Sequence, residues 1–229
     1  MPNAFKTLEQ RVLSLLRNDI LSGKYRPGDK LRQDEVAKRF DTSTTPVREA
    51  FRGLRSEGLV SIDANKGVVV KGLTIDDVTE IYELRIMLEP LLAKKSVSSI
   101  KPESLELAGQ IHKEMCKTTD PHQWSSLNHN FHIQLMSSES HTRLYEMVKN
   151  LLIIAEPYVS LSIFVYPNIL QTDNTDHASI LKSYRQKDEV QVEEIIRKHL
   201  QHTLETIQAS VNDDTLSRGY LSQTVYSDW

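Results

Sequence analysis

With a single cysteine, Cys116, in 229 residues, the chain closes no disulfide within itself, which fits a reducing compartment. Uninterrupted apolar runs of about 18 residues, the length a membrane-spanning helix needs, are missing too. The most apolar stretch, "LLIIAEPYVSLSIFVYP", is interrupted by Glu156 and Pro157. The opening "MPNAFKTLEQ" has no basic stretch followed by an apolar one, so no secretory signal is expected, and the protein is expected to be soluble with no membrane partner. There is no glycine-rich phosphate loop, no internal repeat and no low-complexity tract. Cys116 has no local signature of a nucleophile, and "SSES" is polar turn chemistry.

What is present is enough apolar content, 39%, to bury a core, and a length suited to two domains of unequal size. The charge is unevenly placed. Residues 1–72 hold 14 Lys and Arg against 9 Asp and Glu, a balance of +5, while residues 73–229 hold 14 against 22, a balance of −8. A basic first third beside an acidic remainder points to a polyanionic partner for the first and another role for the second.

In the first third, Phe5, Leu8, Val12, Leu15, Leu16 and Ile20 recur at helical spacing and stop before Gly23 and the "YRPGDKL" turn. Val36, Ala37 and Phe40 predict a short second helix over roughly 32–40, with "DTST" supplying turn and capping residues. A third helix is predicted from Ser43 or Thr44 to near Gly58, Pro46 being tolerated in the first turn, whose amides have no intrahelical partner. "LVSI" and "VVV" then flank "DANKG" and read as a hairpin. Three helices and a hairpin make a winged helix-turn-helix, in which the third helix enters the major groove.

The third helix, in "TTPVREAFRGLRSEGLV", has two faces. At 100° per residue Arg48, Arg52 and Arg55 fall within about 60° of one another, while Val47, Ala50, Phe51 and Leu54 centre roughly 110° away. A surface helix with ordinary solvated arginines would show the same stripe. The hairpin, the Thr/Ser-rich helix start and the basic charge balance together favour a face aimed at DNA.

"ILSGKYRPGDKL", "TPVREAFRGLRSEGLV" and "NKGVVV" resemble the GntR family of bacterial transcription regulators over residues 8–70. The resemblance implies a homodimer that binds double-stranded operator DNA, with Arg48 matching the recognition-helix arginine and Lys66 and Gly67 in the wing. Gln33, Thr44, Thr45 and Arg52 complete the expected DNA-contacting set. Thr44 stands where family members commonly have an arginine, and Asp34 near where another often occurs. Each absence removes a possible bidentate contact to guanine, a pair worth about 1–3 kcal/mol of discrimination, so the operator sequence does not carry over from relatives.

From "LTIDDVTEIYELRIMLEPLLAKK" to about residue 210 the pattern is amphipathic and helical, with no convincing strand, and predicts an all-α antiparallel bundle. Thr74 is placed to cap its first helix, Asp76 and Asp77 lie in the opening turn, and Ile75, Val78, Ile81, Tyr82 and Leu88 form its buried stripe, with Pro90 expected to kink it. Asn128 and His132, four residues apart, share one helix face. With His177 and His199 on two further helices they can converge on zinc, nickel or manganese. Eight histidines allow many such sets, and His112, His122, His129, His141 and His202 read as solvated or core-bonded.

"IYELRIMLE", "LNHNFHIQL", "DHASIL" and "RKHL" resemble the effector-binding helical domain of the FadR-type branch of this family, often called FCD. The resemblance implies a metal site formed by Asn128, His132, His177 and His199, with open positions for a small carboxylate effector. Asn128 stands where the family has Asp or Asn, and the neutral amide leaves the metal more positive. Arg85 matches an arginine of that domain and is expected either to bind the effector's carboxylate or to pair with Glu83 or Glu89.

The expected protein is a cytoplasmic regulator, repression being the commoner family behaviour, with a DNA-binding domain at 1–72 and an effector-binding, dimerising domain at 73–229. Two alternatives share parts of this pattern. A metal-dependent hydrolytic enzyme also uses three protein ligands and an open site, but no motif nominates its general base or oxyanion stabiliser. A bundle that only dimerises needs no ligand at all.

Overall fold

A computed structural model describes residues 7–21, 24–63, 67–72 and 74–212. These fall into two compact units that meet in sequence between Thr74 and Ile75. The first contains α1 (Leu8–Leu21), β1 (Lys30–Leu31), α2 (Gln33–Arg39), α3 (Thr44–Ser56), β2 (Val60–Asp63) and β3 (Gly67–Val70). The second is all helical: α4 (Ile75–Val97), α5 (Pro102–Met115), α6 (Pro121–Leu135), a 3-10 turn at Ser137–Glu139, α7 (Arg143–Val165), α8 (Ile169–Gln186) and α9 (Glu189–Asn212).

In the first unit, Val12 and Leu16 of α1 are buried with Val47, Ala50, Phe51 and Leu54 of α3. The two helices pack tightly at Gly53, where a β-carbon would sit 2.9 Å from the Leu13 side chain. The third helix ends on Gly58, whose φ of +72° suits a residue without a β-carbon. There the Gly58 amide donates to the Arg55 carbonyl at 3.1 Å and the Leu59 amide to Leu54 at 2.9 Å. That pair of bonds is a Schellman motif, closed by the buried Leu54 and Leu59 side chains. Arg17 of α1 holds Glu57 beside the same helix end.

The hairpin is present, with Val60 opposite Val70 and Asp63 opposite Gly67. A third strand, too short for periodicity to reveal, joins it: β1 pairs antiparallel with β3, Leu31 opposite Val68, giving the order β1-β3-β2. Lys66, expected in the wing, lies outside the described residues.

The second unit is built around α4 and α7, with α6 packed on α7 and on α5, and α5 on α8. Leu92 of α4 joins Tyr145, Val148 and Leu152 of α7 and Met136 in one apolar cluster. By length and composition α7 is apolar enough to cross a membrane, yet its buried side chains belong to this core, and its path runs through Pro157 without a break. Asp120 and Thr142 cap α6 and α7, accepting hydrogen bonds from the Gln123 and Tyr145 amides. The α4 helix likewise continues through Pro90. Proline has no amide to offer the carbonyl four residues earlier, and Arg197 of α9 fills the gap by donating to the Ile86 carbonyl at 2.9 Å. Of the stripe expected on α4, Val78 and Tyr82 are fully buried, and the charged pair Arg85 and Glu89 is buried with them.

Candidate functional site

The arginine face expected on α3 is open. Side chains of Arg48 and Arg52 are 56% and 63% exposed, Arg55 is exposed as well, and the four apolar residues opposite are buried. Thr44 and Thr45 stand exposed in the first turn after Ser43. Gln33, the first residue of α2, donates through Nε2 to the Thr44 carbonyl at 3.2 Å and so joins the two helix starts. Gly67 opens β3 with φ +77° and an exposed backbone. Glu49, not singled out from the sequence, accepts from Arg52 at 2.7 and 2.9 Å and lies 3.7 Å from Arg48 Nε. Its spacing of three residues from Arg52 was the available signal.

Inside the helical unit, His132 on α6, His177 on α8 and His199 on α9 meet. They are 1%, 0% and 5% exposed, and one ring nitrogen of each lies within 4.8 Å of the others. Nε2 of His132 is 3.3 Å from Nε2 of His177. The rings of His132 and His199 stack at 5.6 Å, while His177 stands edge-on to both. Phe131 and Trp124 wall the cluster on the side of His177. Trp124 is itself held by the Asn174 side-chain oxygen at 3.2 Å, and His112 lies 2.9 Å from the Asn174 carbonyl.

Carboxylates orient two of these rings. Glu89 Oε1 lies 2.7 Å from His132 Nδ1, and Asp176 Oδ2 lies 3.3 Å from His199 Nδ1. A carboxylate facing Nδ1 keeps the proton there and leaves the Nε2 lone pair for a metal. Burial lowers the pKa of His132 and His177, which favours the neutral form that ligates. Burial alone would raise Glu89, but Arg85 and His132 outweigh it and hold its pKa at about 2. Arg85, 2% exposed, reaches Glu89 Oε2 through Nε at 3.0 Å and Nη2 at 2.9 Å, with its guanidinium over the Tyr82 ring. Of its expected partners, Arg85 has taken Glu89.

Asn128, one turn before His132, is 8% exposed, and its Oδ1 is buried with no hydrogen-bond partner. A buried acceptor left unpaired costs about 1–3 kcal/mol, and a cation would satisfy it. Three buried imidazoles and this orphaned oxygen fit a divalent transition metal. The same His199 also belongs to a second group with Asp173 and Asp176, which sequence reading passed over. Asp173 is 4% exposed, and burial raises its pKa.

A winged helix with an open arginine face, joined to a helical unit with a histidine-lined interior, defines the architecture of a ligand-responsive DNA-binding regulator. Residues 8–70 match the family described as bacterial regulatory proteins, gntR family, and residues 80–202 match the FCD domain, a ligand-binding effector domain. The chain belongs to the GntR family of transcriptional regulators, in its FCD-containing branch. Among its relatives are the gluconate operon transcriptional repressor of Bacillus subtilis, 28% identical over 93% of this chain and 88% of that protein, and the HTH-type transcriptional repressor RspR of Escherichia coli, 27% identical over 90% and 91%. A GntR-family regulator from Pseudomonas syringae, 27% identical over 95% of this chain and 91% of that one, superposes with a TM-score of 0.55. E. coli McbR/YncC shares the fold at 20% identity with a TM-score of 0.72, covering 90% of this chain and 99% of that one. GntR regulators bind operator DNA and typically act as dimers, and the relatives are regulators rather than enzymes.

Proposed function

We propose that this regulator is a cytoplasmic repressor that binds operator DNA as a homodimer through its first domain, residues 1–72, and is released or retained by a small carboxylate sensed in its second, residues 73–229. The three buried imidazoles converging from α6, α8 and α9 carry the sensing half of this reading. A zinc, nickel or manganese ion is held by His132, His177, His199 and Asn128 and supplies a Lewis-acidic point for an anionic ligand. Glu89 and Asp176 fix two of the imidazole rings. Arg85 holds Glu89 in place, and an effector carboxylate reaches Arg85 only by displacing Glu89.

On the DNA side, Arg48 reads base edges from α3, with Thr44 and Thr45 at the first turn. Arg52, Gln33, Lys66 and Gly67 fix the phosphate register. The effector shifts operator affinity by its differential affinity for two arrangements of the dimer. Because relatives are named for the gluconate operon, gluconate, a hydroxy-carboxylate, is the first acid to try.

The test is capture of source genomic DNA fragments on the purified full chain, sequenced at two salt concentrations, with and without a chelator and gluconate. A few enriched palindromes that respond to acid or chelator support the reading. Retention without sequence preference, falling steeply with salt, would leave only the electrostatic attraction of a basic domain.

A further inference from the structure

His199 belongs to two groups of metal-ligating side chains. One is the buried trio with His132 and His177. The other joins it to Asp173 and Asp176 of α8, with one ligand atom of each residue within 4.8 Å of the other two. Asp173 and Asp176 are three residues apart, so both leave the same face of α8, and Asp176 Oδ2 lies 3.3 Å from His199 Nδ1.

Asp173 is the unmatched member of the second group. It is 4% exposed, and among the described residues no hydrogen bond or ion pair reaches its carboxylate. Its close neighbour Asp176 is another carboxylate. Two such groups side by side, one of them buried without a donor, are unfavourable until a proton or a cation comes between them. Elsewhere in the interior the charges are matched, as Arg85 and Glu89 are. A groove of about 420 Å³, lined by Thr172, Asp176, Ser179, Lys198, His199 and His202, gives an ion a way to this group. Lys198 does not take the cation's place, since its ammonium is held by Glu194 at 2.6 Å.

The donor sets differ in kind. Two carboxylates and one imidazole are harder than three imidazoles, and suit manganese where the histidine trio suits zinc or nickel. A neutral imidazole has one lone pair, so His199 serves one ion at a time.

We propose that Asp173, Asp176 and His199 form a second cation site, suited to a hard divalent ion such as manganese and used in alternation with the three-histidine centre. The site is independent of the metal reading given above, and only the alternation rests on it.

The test uses the full chain stripped of metal. Manganese alone is titrated in and followed by loss of the free ion's electron paramagnetic resonance signal, and zinc alone is titrated calorimetrically. His132→Ala with His177→Ala leaves the second site its three ligands. This paired variant is expected to lose at least about tenfold in zinc affinity yet still bind one manganese per chain. Adding Asp173→Asn or Asp176→Asn to it is expected to weaken manganese at least about tenfold. The Asp176 side chain is 34% exposed, so its substitution tests the site even if the change at Asp173 disturbs folding. No manganese bound by the paired variant, or undiminished binding after either Asn substitution, would overturn the second site, and zinc bound by the wild type would still leave the three-histidine centre standing. Zinc affinity unchanged in the paired variant would overturn that centre instead, and the alternation with it. In the wild type one zinc is expected to release the bound manganese, and a chain that holds one of each tightly would overturn the alternation.

Discussion

Glu89 is fully buried between two groups that depend on it, the Arg85 guanidinium and His132 Nδ1. Replacing it with glutamine keeps the shape and removes the charge. Arg85, 2% exposed, then has no anion, and loss of one member of a buried pair costs about 3–5 kcal/mol. With a urea dependence of about 1–3 kcal/mol per molar, the unfolding midpoint of the helical unit should fall by roughly 2 M. Trp124, buried 5.6 Å from His177, reports that transition by fluorescence. The paired change Arg85→Met with Glu89→Leu separates charge from packing: it removes both ions at once and is expected to return stability to the wild-type level or above. The same double variant should still bind metal about 10–100-fold more weakly, since His132 has lost the carboxylate that orients it. A midpoint for Glu89→Gln within experimental error of wild type would refute the reasoning, because it would mean that Arg85 finds water or another anion in solution.

Arg48→Ala should weaken operator binding by about 1–3 kcal/mol in a fluorescence anisotropy titration, and undiminished affinity would place another face of the first unit on DNA. His177→Ala should leave operator affinity nearly intact while abolishing the response to the effector. A retained response would take the metal out of the mechanism. Gly58→Ala should destabilise the winged helix by about 1 kcal/mol, read by circular dichroism during thermal unfolding, since φ of +72° disfavours any residue with a β-carbon.

The parts of the fold readable in advance were those encoded locally. The two faces of α3 follow from residues three and four apart, and burial divides them as the periodicity does, with Val47, Ala50, Phe51 and Leu54 inside. β1 was not readable, because two residues carry no period and Leu31 becomes a strand residue only through Val68, far along the chain. Asn128 and His132 announce a shared face by spacing, but their meeting with His177 and His199 depends on how three helices pack, and eight histidines give too many combinations for spacing to choose. Family resemblance picked the set. Glu89 was visible only as a partner for Arg85, since its approach to His132 crosses from α4 to α6. Arg85 itself illustrates the difficulty: charged residues are usually exposed, and nothing local marks one that is buried with its counterion four residues away.

Glu49 flanks the arginine face of α3 and holds Arg52. An arginine engaged by its own glutamate attracts a passing polyanion weakly, so a helix that met DNA through this face would present fewer effective cations than its sequence suggests. Fewer counterions are then released on loose contact, and residence on the wrong sequence is shorter. On the proposed DNA face, only a site that offered Arg52 a phosphate in good geometry would draw it away from Glu49. On the DNA face proposed for α3, such a pair would act as a brake on promiscuous adhesion and leave the protein free to sample more of the chromosome in a given time.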